Sequence, residues 1–348
     1  MTTIEDVAKK AGVSKSSVSR VLNHNYKHMS EEMKQKILKA IEELDYRPNS
    51  VAQSLKKKET KIIGLIIADM SPFCTEIIKG IQEECLKNGY SLMVSNSSSS
   101  PEQEEENIKM LIGKQVDGLI INTINPRSEL FTYLQSIKFP MVFINSSPQT
   151  IQEDMVIVDN TTGTTEAMDY LVNLGHKQIA IMLYPIENIL VRQEKLEAYK
   201  KALKNYHFPV DHHLINIIKQ EKGQGVQTTL RLLESPNPPT AFLSTNINLT
   251  LEVLKAIREK GLKIPEDVSV IGFDDFEWNE LLDPPLTTIS TPVLEMGEKS
   301  SKLLITKIKR KKQTEPVKSE VLPKLIFRQS TCKAKLKERT NQKHLGHY

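Results

Sequence analysis

Thr3-Ile-Glu-Asp-Val-Ala-Lys-Lys-Ala-Gly-Val-Ser-Lys-Ser-Ser-Val-Ser-Arg-Val-Leu-Asn23 decides how this chain is read. Ile4, Val7, Ala8 and Ala11 recur at helical spacing, Thr3 caps a first helix and Gly12 supplies a tight corner. Ser14 then caps a second helix whose Val18, Val21 and Leu22 turn inward. Lys15, Ser16, Ser17, Ser19 and Arg20 are left on the outer face, where their donors suit the acceptor-rich floor of a DNA major groove. The stretch reads as a helix-turn-helix.

Working outward, Ser30 opens a third helix with an apolar stripe of Met33, Ile37, Ala40, Ile41 and Leu44, and it stops before Arg47-Pro48 because a proline disfavours helix in the residue ahead of it. Residues 1–48 form an all-α headpiece. Asn49 to Lys58, within a linker of residues 49–60, has helical propensity but too little apolar surface to be stable alone. Basic residues crowd this part, from Lys9 and Lys10 to Lys56, Lys57, Lys58 and Lys61, although the whole chain carries only +4. A solvated surface can produce such a run. Beside a helix-turn-helix it suits phosphate contact, which gains free energy from released counterions.

From Ile62 the pattern changes to short β-rich runs alternating with helices. Strands are expected at Ile62–Ala68, Tyr90–Ser95, Gly118–Asn122, Met141–Asn145, Val156–Val158, Ile179–Leu183, Ala241–Ser244, Val268–Gly272 and Leu322–Arg328. Helices are expected at Thr75–Asn88, Glu102–Lys114, Thr164–Leu174, Arg192–Asn205, Gly223–Leu233 and Leu249–Lys260. Continuous Ile/Val/Leu strands between helices argue for parallel sheets covered on both faces. Their number exceeds one ordinary sheet, so residues 61–332 divide into two lobes, with crossovers near 159–162, 288–293 and 320–324. A ligand cleft is expected outside the carboxyl ends of the strands. Lys307–Lys312 reads as an exposed basic loop and residues 333–348 as a loose basic tail.

Other classes find little support. Cys74, Cys85 and Cys332 are scattered and lack metal or redox spacing, so no metal or cofactor is expected. No apolar run approaches the roughly 20 residues of a membrane span. The N-terminus does not read as a signal peptide, and a cytoplasmic location follows. A phosphate-binding glycine loop and a G-x-S-x-G nucleophile motif are both missing, so no enzyme is expected. A sugar-acid enzyme or a pure binding protein remain as alternatives of another class.

Taken together, Thr3-Ile-Glu-Asp-Val-Ala8, Ala11-Gly-Val-Ser14, Val18-Ser-Arg-Val-Leu-Asn23, Tyr46-Arg-Pro-Asn49, Ala52-Gln-Ser-Leu55, Gln115-Val-Asp-Gly-Leu-Ile120, Asn173-Leu-Gly-His176, Ile264–Asp275 and Pro285-Leu-Thr-Thr-Ile289 resemble the lactose-repressor (LacI/GalR) family of bacterial transcription regulators. The resemblance implies an all-α helix-turn-helix headpiece on an α/β body, with the two-lobed parallel sheets of type I periplasmic binding proteins. It implies a homodimer on pseudo-palindromic, double-stranded operator DNA. Thr3, Lys15, Ser16, Ser17, Ser19, Arg20, Asn23, Asn49, Ala52 and Leu55 would face DNA, with Lys15, Ser16 and Arg20 at base-reading positions. Leu55 would be a wedge in the minor groove, its cost of a few kcal/mol in unstacking offset by a bent site's contacts. Asn23–Ser30 is one residue longer than usual.

In the body the resemblance places Phe73, Asn246 and Asp274 in an effector cleft. The family's arginine on the helix after Arg192 appears as Lys195, and an aspartate after Asn246 appears as Ile247. A finer resemblance, through Pro185–Tyr199, Thr250–Leu254 and Phe273–Pro285, points to the branch that represses pectin and uronate breakdown, with sugar acids such as 2-keto-3-deoxygluconate as effectors. Arg192 and Lys195, one helical turn apart, would pair with a carboxylate; a solvated face balanced by Glu194 and Glu197 is the alternative. Trp278, the only tryptophan, either packs the lobe or stacks on the effector. A neutral sugar or a corepressor remains the second option for the ligand.

Overall fold

A computed structural model describes residues 2–27, 29–47, 59–310 and 315–335. The chain divides into two units, Met1–Lys61 and Ile62–Tyr348.

The first unit holds helices α1 (Ile4–Ala11), α2 (Lys15–Leu22) and α3 (Glu31–Glu43). Thr3 caps α1 in a reciprocal box with Asp6, while Ser14 and Ser30 accept backbone N–H bonds at the starts of α2 and α3. Val7, Ala8, Val18, Val21, Ile37 and Ala40 form the core. Gly12 has φ +66°, and a Cβ there would meet nothing within 4 Å. The corner therefore requires glycine for its left-handed backbone and not for space. Met33, expected inward, is exposed; Met29 from the preceding loop packs against the core instead. The long loop before α3 is braced by Lys34 Nζ over the Tyr26 ring at 4.6 Å and by a 3.1 Å bond between His24 Nδ1 and Tyr26 Oη.

The second unit has two six-stranded sheets. The first lobe contains β1 (Ile62–Ile67), α4 (Pro72–Lys87), β2 (Ser91–Asn96), α5 (Pro101–Gly113), β3 (Gly118–Ile121), α6 (Glu129–Ser136), β4 (Met141–Ile144) and β5 (Met155–Val158). The second contains α7 (Asn160–Asn173), β6 (Ile179–Leu183), α8 (Leu190–Asn205), β7 (Ile215–Ile217), α9 (Gln224–Leu233), β8 (Ala241–Ser244), α10 (Ile247–Glu259), β9 (Ser269–Phe273) and β10 (Thr287–Ser290). The chain then returns through α11 (Val293–Arg310) and β11 (Lys318–Val321) to the first lobe and ends the second with β12 (Lys324–Ile326). Sheet orders are β11-β5-β4-β3-β1-β2 and β12-β10-β9-β8-β6-β7. Every pairing is parallel except β10 with β12. Separate apolar clusters cover both faces of each sheet, which accounts for strands that are hydrophobic throughout.

The chain crosses between lobes at Asp159, at Thr291-Pro292 and at Leu322-Pro323. These crossings lie together: a Cβ on Gly163 would come within 2.7 Å of Pro323 and 3.1 Å of Ile289. The expected strand Leu322–Arg328 is instead two strands, one per sheet, with Pro323 at the break, where a missing N–H cannot serve a ladder. The expected loop at Lys307–Lys312 is also corrected in its described part. α11 continues to Arg310, and Lys307 turns inward to pair with Glu153 and with Asp154 at 3.0 Å. In the expected tail, Lys335 pairs with Asp267 at 2.9 Å and Ala334 N–H bonds the Leu174 carbonyl; residues 336–348 lie outside the described residues.

Candidate functional site

In the first unit, the outward side of α2 carries exposed Lys15, Ser16 and Arg20, with Ser17 and Ser19 half-buried. Ser14 gathers the hydroxyls of Ser16 at 2.7 Å and Ser17 at 3.0 Å around the start of the helix. The first turn holds no acid, so the helix dipole and these hydroxyls present a donor-rich end to a phosphate or a base edge. Lys15 Nζ meets Glu5 at 2.8 Å, an exposed pair worth little in water and easily exchanged for a phosphate. Asn23 folds back onto the Ser19 carbonyl at 2.6 Å, and Thr3 is committed to capping α1 through Asp6. Asn49, Ala52 and Leu55 lie outside the described residues.

In the second unit a cavity of about 140 Å³ opens between the lobes at the carboxyl ends of their strands. Asp69, Phe73, Asn122 and Asn145 reach it from the first lobe, Tyr184, Arg192, Lys195, Thr245, Asn246 and Asp274 from the second, and Asn160 and Thr291 from the crossings. Five of the six expected ligand residues thus meet in one place. Trp278 does not line this cavity; it stacks on Phe276, with ring centres 6.1 Å apart, in a short turn beyond Asp274.

The cleft is polar and electrically mixed. Lys195 is almost fully buried, sits 3.7 Å from the centre of the Phe273 ring and donates to the Thr245 carbonyl at 3.1 Å. Burial drives its ammonium down to about 8, against the attraction of Asp274. Burial pushes the Asp274 carboxyl up to about 6, opposed by Lys195 and reinforced by Asp69. Arg192 is half-buried, donates to the Pro185 carbonyl at 2.6 Å and lies over the Tyr184 ring at 5.6 Å. The alternative of a balanced solvated face is not what α8 presents. Glu194 accepts from Asn160 Nδ2 at 3.0 Å and Glu197 pairs with Lys200 at 2.8 Å.

Sequence reading missed Asp69, Asn122, Asn145, Tyr184 and Thr245. Each directly or nearly follows a strand, in the position where open α/β folds place ligand groups, so the strand ends themselves carried the signal. Asn122 and Ser146 are joined by a 3.3 Å hydroxyl bond, and the buried Glu104 holds Thr123 Oγ1 at 2.6 Å and the Ile124 N–H at 2.8 Å. The first-lobe rim is therefore pre-formed. His176 is buried and bonds Thr240 Oγ1 and the Cys332 carbonyl, so it ties the last segment to the lobe.

Residues 3–49 match the family described as bacterial regulatory proteins, lacI family, and residues 168–331 match the periplasmic binding protein-like domain. The probable HTH-type transcriptional regulator EndR of Paenibacillus polymyxa is 36% identical over 340 residues, spanning 96% of this chain and 99% of that protein. This chain belongs to the lacI family. Another member, the HTH-type transcriptional regulator KdgR of Bacillus subtilis (strain 168), is 35% identical over 334 residues, 94% of this chain and 97% of that one. Among solved structures, the lac repressor dimer bound to operator and the anti-inducer ONPF superposes with a TM-score of 0.83 at 29% identity, covering 95% of this chain and 99% of that chain. This lacI-family chain is accordingly a DNA-binding transcription regulator with a helix-turn-helix and a two-lobed type I periplasmic-binding body. Its named relatives are transcriptional regulators. Among the described residues no helix is long and apolar enough to cross a membrane.

Proposed function

We propose that the chain is a repressor of carbohydrate catabolism genes, of the pectin and uronate kind, released from its operator by a small sugar acid such as 2-keto-3-deoxygluconate. The observation that carries the effector class is the convergence of Arg192 and Lys195 on a cavity that also holds Asp274 and Asn246. Two cations suit a carboxylate; a buried aspartate and an amide suit vicinal hydroxyls. Phe73 offers a face to the carbon skeleton. The likeness to KdgR supports the same branch.

The regulator acts as a homodimer on a pseudo-palindromic operator, a reading supported by its likeness to the lac repressor dimer bound to operator. Lys15, Ser16 and Arg20 read the major groove, and Leu55 from each chain enters the minor groove. The cleft lies between lobes joined by three crossings, so a ligand that contacts both lobes favours one lobe orientation over the other. Release from DNA requires that the ligand bind the low-affinity orientation better; tight binding to both would change nothing.

Calorimetric titration of the full chain tests the effector class. The sugar acid binds, neutral glucose does not compete, and Arg192→Ala weakens the acid by about tenfold. Equal affinity for acid and glucose, or an unchanged Arg192→Ala, refutes the carboxylate reading.

A further inference from the structure

Arg328 stands outside the cleft yet is tied to it. It lies two residues past β12, the strand that enters the second lobe directly from the Leu322-Pro323 crossing. Its side chain is 11% exposed, and its guanidinium forms a two-pronged pair with Asp275, Nη1 to Oδ1 at 2.7 Å and Nη2 to Oδ2 at 3.1 Å. Nη1 also reaches the Leu286 carbonyl and Thr288 Oγ1, and Nη2 meets Glu280 at 3.3 Å. Asp275 in turn accepts from Thr288 Oγ1 at 2.7 Å and Asn279 Nδ2 at 3.2 Å.

The neighbour in sequence, Asp274, has φ +70°, a left-handed backbone uncommon for a residue other than glycine, though aspartate tolerates it better than most. Asn279 Nδ2 bonds its carbonyl and its own N–H bonds the Ile289 carbonyl. One bond accepted from Asn279 and one donated to Ile289 thus fix its backbone, and the residue lines the cavity. We propose that Arg328 is a positioning residue for ligand binding: by clamping Asp275 it sets the turn that aims Asp274 into the cleft and couples that turn to the lobe crossing. This deepens, and rests on, the reading of the cleft as an effector site.

A second consequence is electrostatic. Asp274 faces Lys195 and, beyond it, Arg192 on α8, and Asp69 from the loop after β1. Arg328 neutralises the carboxylate next to it. Without that guanidinium, Asp275 becomes a second unpaired acid beside Asp274, and like charges hold protons more tightly.

Trp278 lies in the same turn and is the only tryptophan, so its fluorescence reports on the turn in the full chain. The test titrates 2-keto-3-deoxygluconate into wild type, Arg328→Gln, Arg328→Lys, Asp275→Asn and the Arg328→Gln/Asp275→Asn double variant, between about pH 5 and about pH 8. Arg328→Gln weakens binding about tenfold, and Arg328→Lys, with its charge but no fork, lies between it and wild type. The acid limb of binding moves to higher pH in Arg328→Gln and returns towards wild type in the double variant. A clamp serving stability alone does not give that return. Wild-type affinity and an unmoved acid limb in Arg328→Gln overturn the proposal; if that variant does not fold, the same result in Arg328→Lys overturns it. If wild type does not bind the sugar acid, the effector reading falls. The pH titration of Trp278 fluorescence without ligand then decides Arg328 by the same shift and the same return.

Discussion

Lys195 Nζ lies 3.7 Å from the centre of the Phe273 ring, one residue before the cleft aspartate, Asp274. The ring and the Thr245 carbonyl at 3.1 Å hold the ammonium where water would otherwise solvate it. Burial nonetheless outweighs these contacts, since the folded protein holds Lys195 at about 8 instead of 10.5. The site is a stability cost kept for a ligand, a common arrangement at functional sites.

Because the folded value is depressed, the stabilising contribution of Lys195 is present above its unfolded value and is lost as pH falls through about 8. At pH 7 the charged lysine opposes folding. Lys195→Met is therefore expected to stabilise the ligand-free protein by about 1–3 kcal/mol at neutral pH and to weaken sugar-acid binding. Thermal unfolding and calorimetry check the two halves. A lower melting temperature in the variant contradicts the first.

Asp274 has the opposite sign. Its folded value is raised to about 6 from 3.8, so its contribution to stability is full below about pH 4 and is lost as pH rises through about 6. Asp274→Asn removes that dependence. The variant's unfolding free energy relative to wild type is expected to climb between about pH 4 and about pH 6, reaching a gain of about 1–3 kcal/mol at about pH 7. A difference that stays flat over this range refutes the assignment.

On the DNA side, Glu5 holds Lys15 at 2.8 Å on an exposed surface. Glu5→Gln changes stability by no more than about 0.5 kcal/mol and strengthens binding to random duplex by freeing the cation. Arg20→Ala costs about 1–3 kcal/mol on the operator and relaxes base preference at one position of each half-site. Gel-shift titrations with operator and scrambled duplexes measure both. An Arg20→Ala protein with undiminished preference removes Arg20 from base reading.

The helices α4 and α11 touch backbone to backbone at Gly80 and Gly297. A Cβ on Gly80 would fall 2.3 Å from the Leu294 carbonyl oxygen, and one on Gly297 2.6 Å from that of Ile77. Helix backbones cannot yield as a flexible side chain does, so Gly80→Ala is expected to destabilise the second unit by about 1–3 kcal/mol. Denaturant unfolding reads this directly.

The headpiece was legible because capping residues, the glycine corner and the inward-facing apolar residues all agreed. Only Met33, exchanged for Met29, broke the pattern. In the body, buried strands such as Ile62–Ile67 announced themselves, while β7 and β10 did not. Ile215-Asn-Ile217 is too short to show alternation, and Thr287-Thr-Ile-Ser290 is polar although three of its four residues are buried. Phe73, Lys195, Asn246 and Asp274 could be drawn together from their resemblance to known positions, and Arg192 from its place one helical turn before Lys195. Asp69 and Asn145 had only their places after β1 and β4 as a signal, and at any one strand end a polar residue reads equally well as part of a turn. For Trp278 the sequence left two options, packing or stacking on the effector; it stacks on Phe276 in the turn of residues 277–280 and does not line the cavity.

The central claim is that a sugar acid, entering the cleft beside Arg192 and Lys195, lowers the affinity of this regulator for its operator. The most direct measurement captures the bound fragment from the native genome and titrates the intact complex with 2-keto-3-deoxygluconate, with glucose alongside. The acid is expected to release the complex and glucose to leave it intact. A complex that the acid leaves intact, or tightens, contradicts the claim.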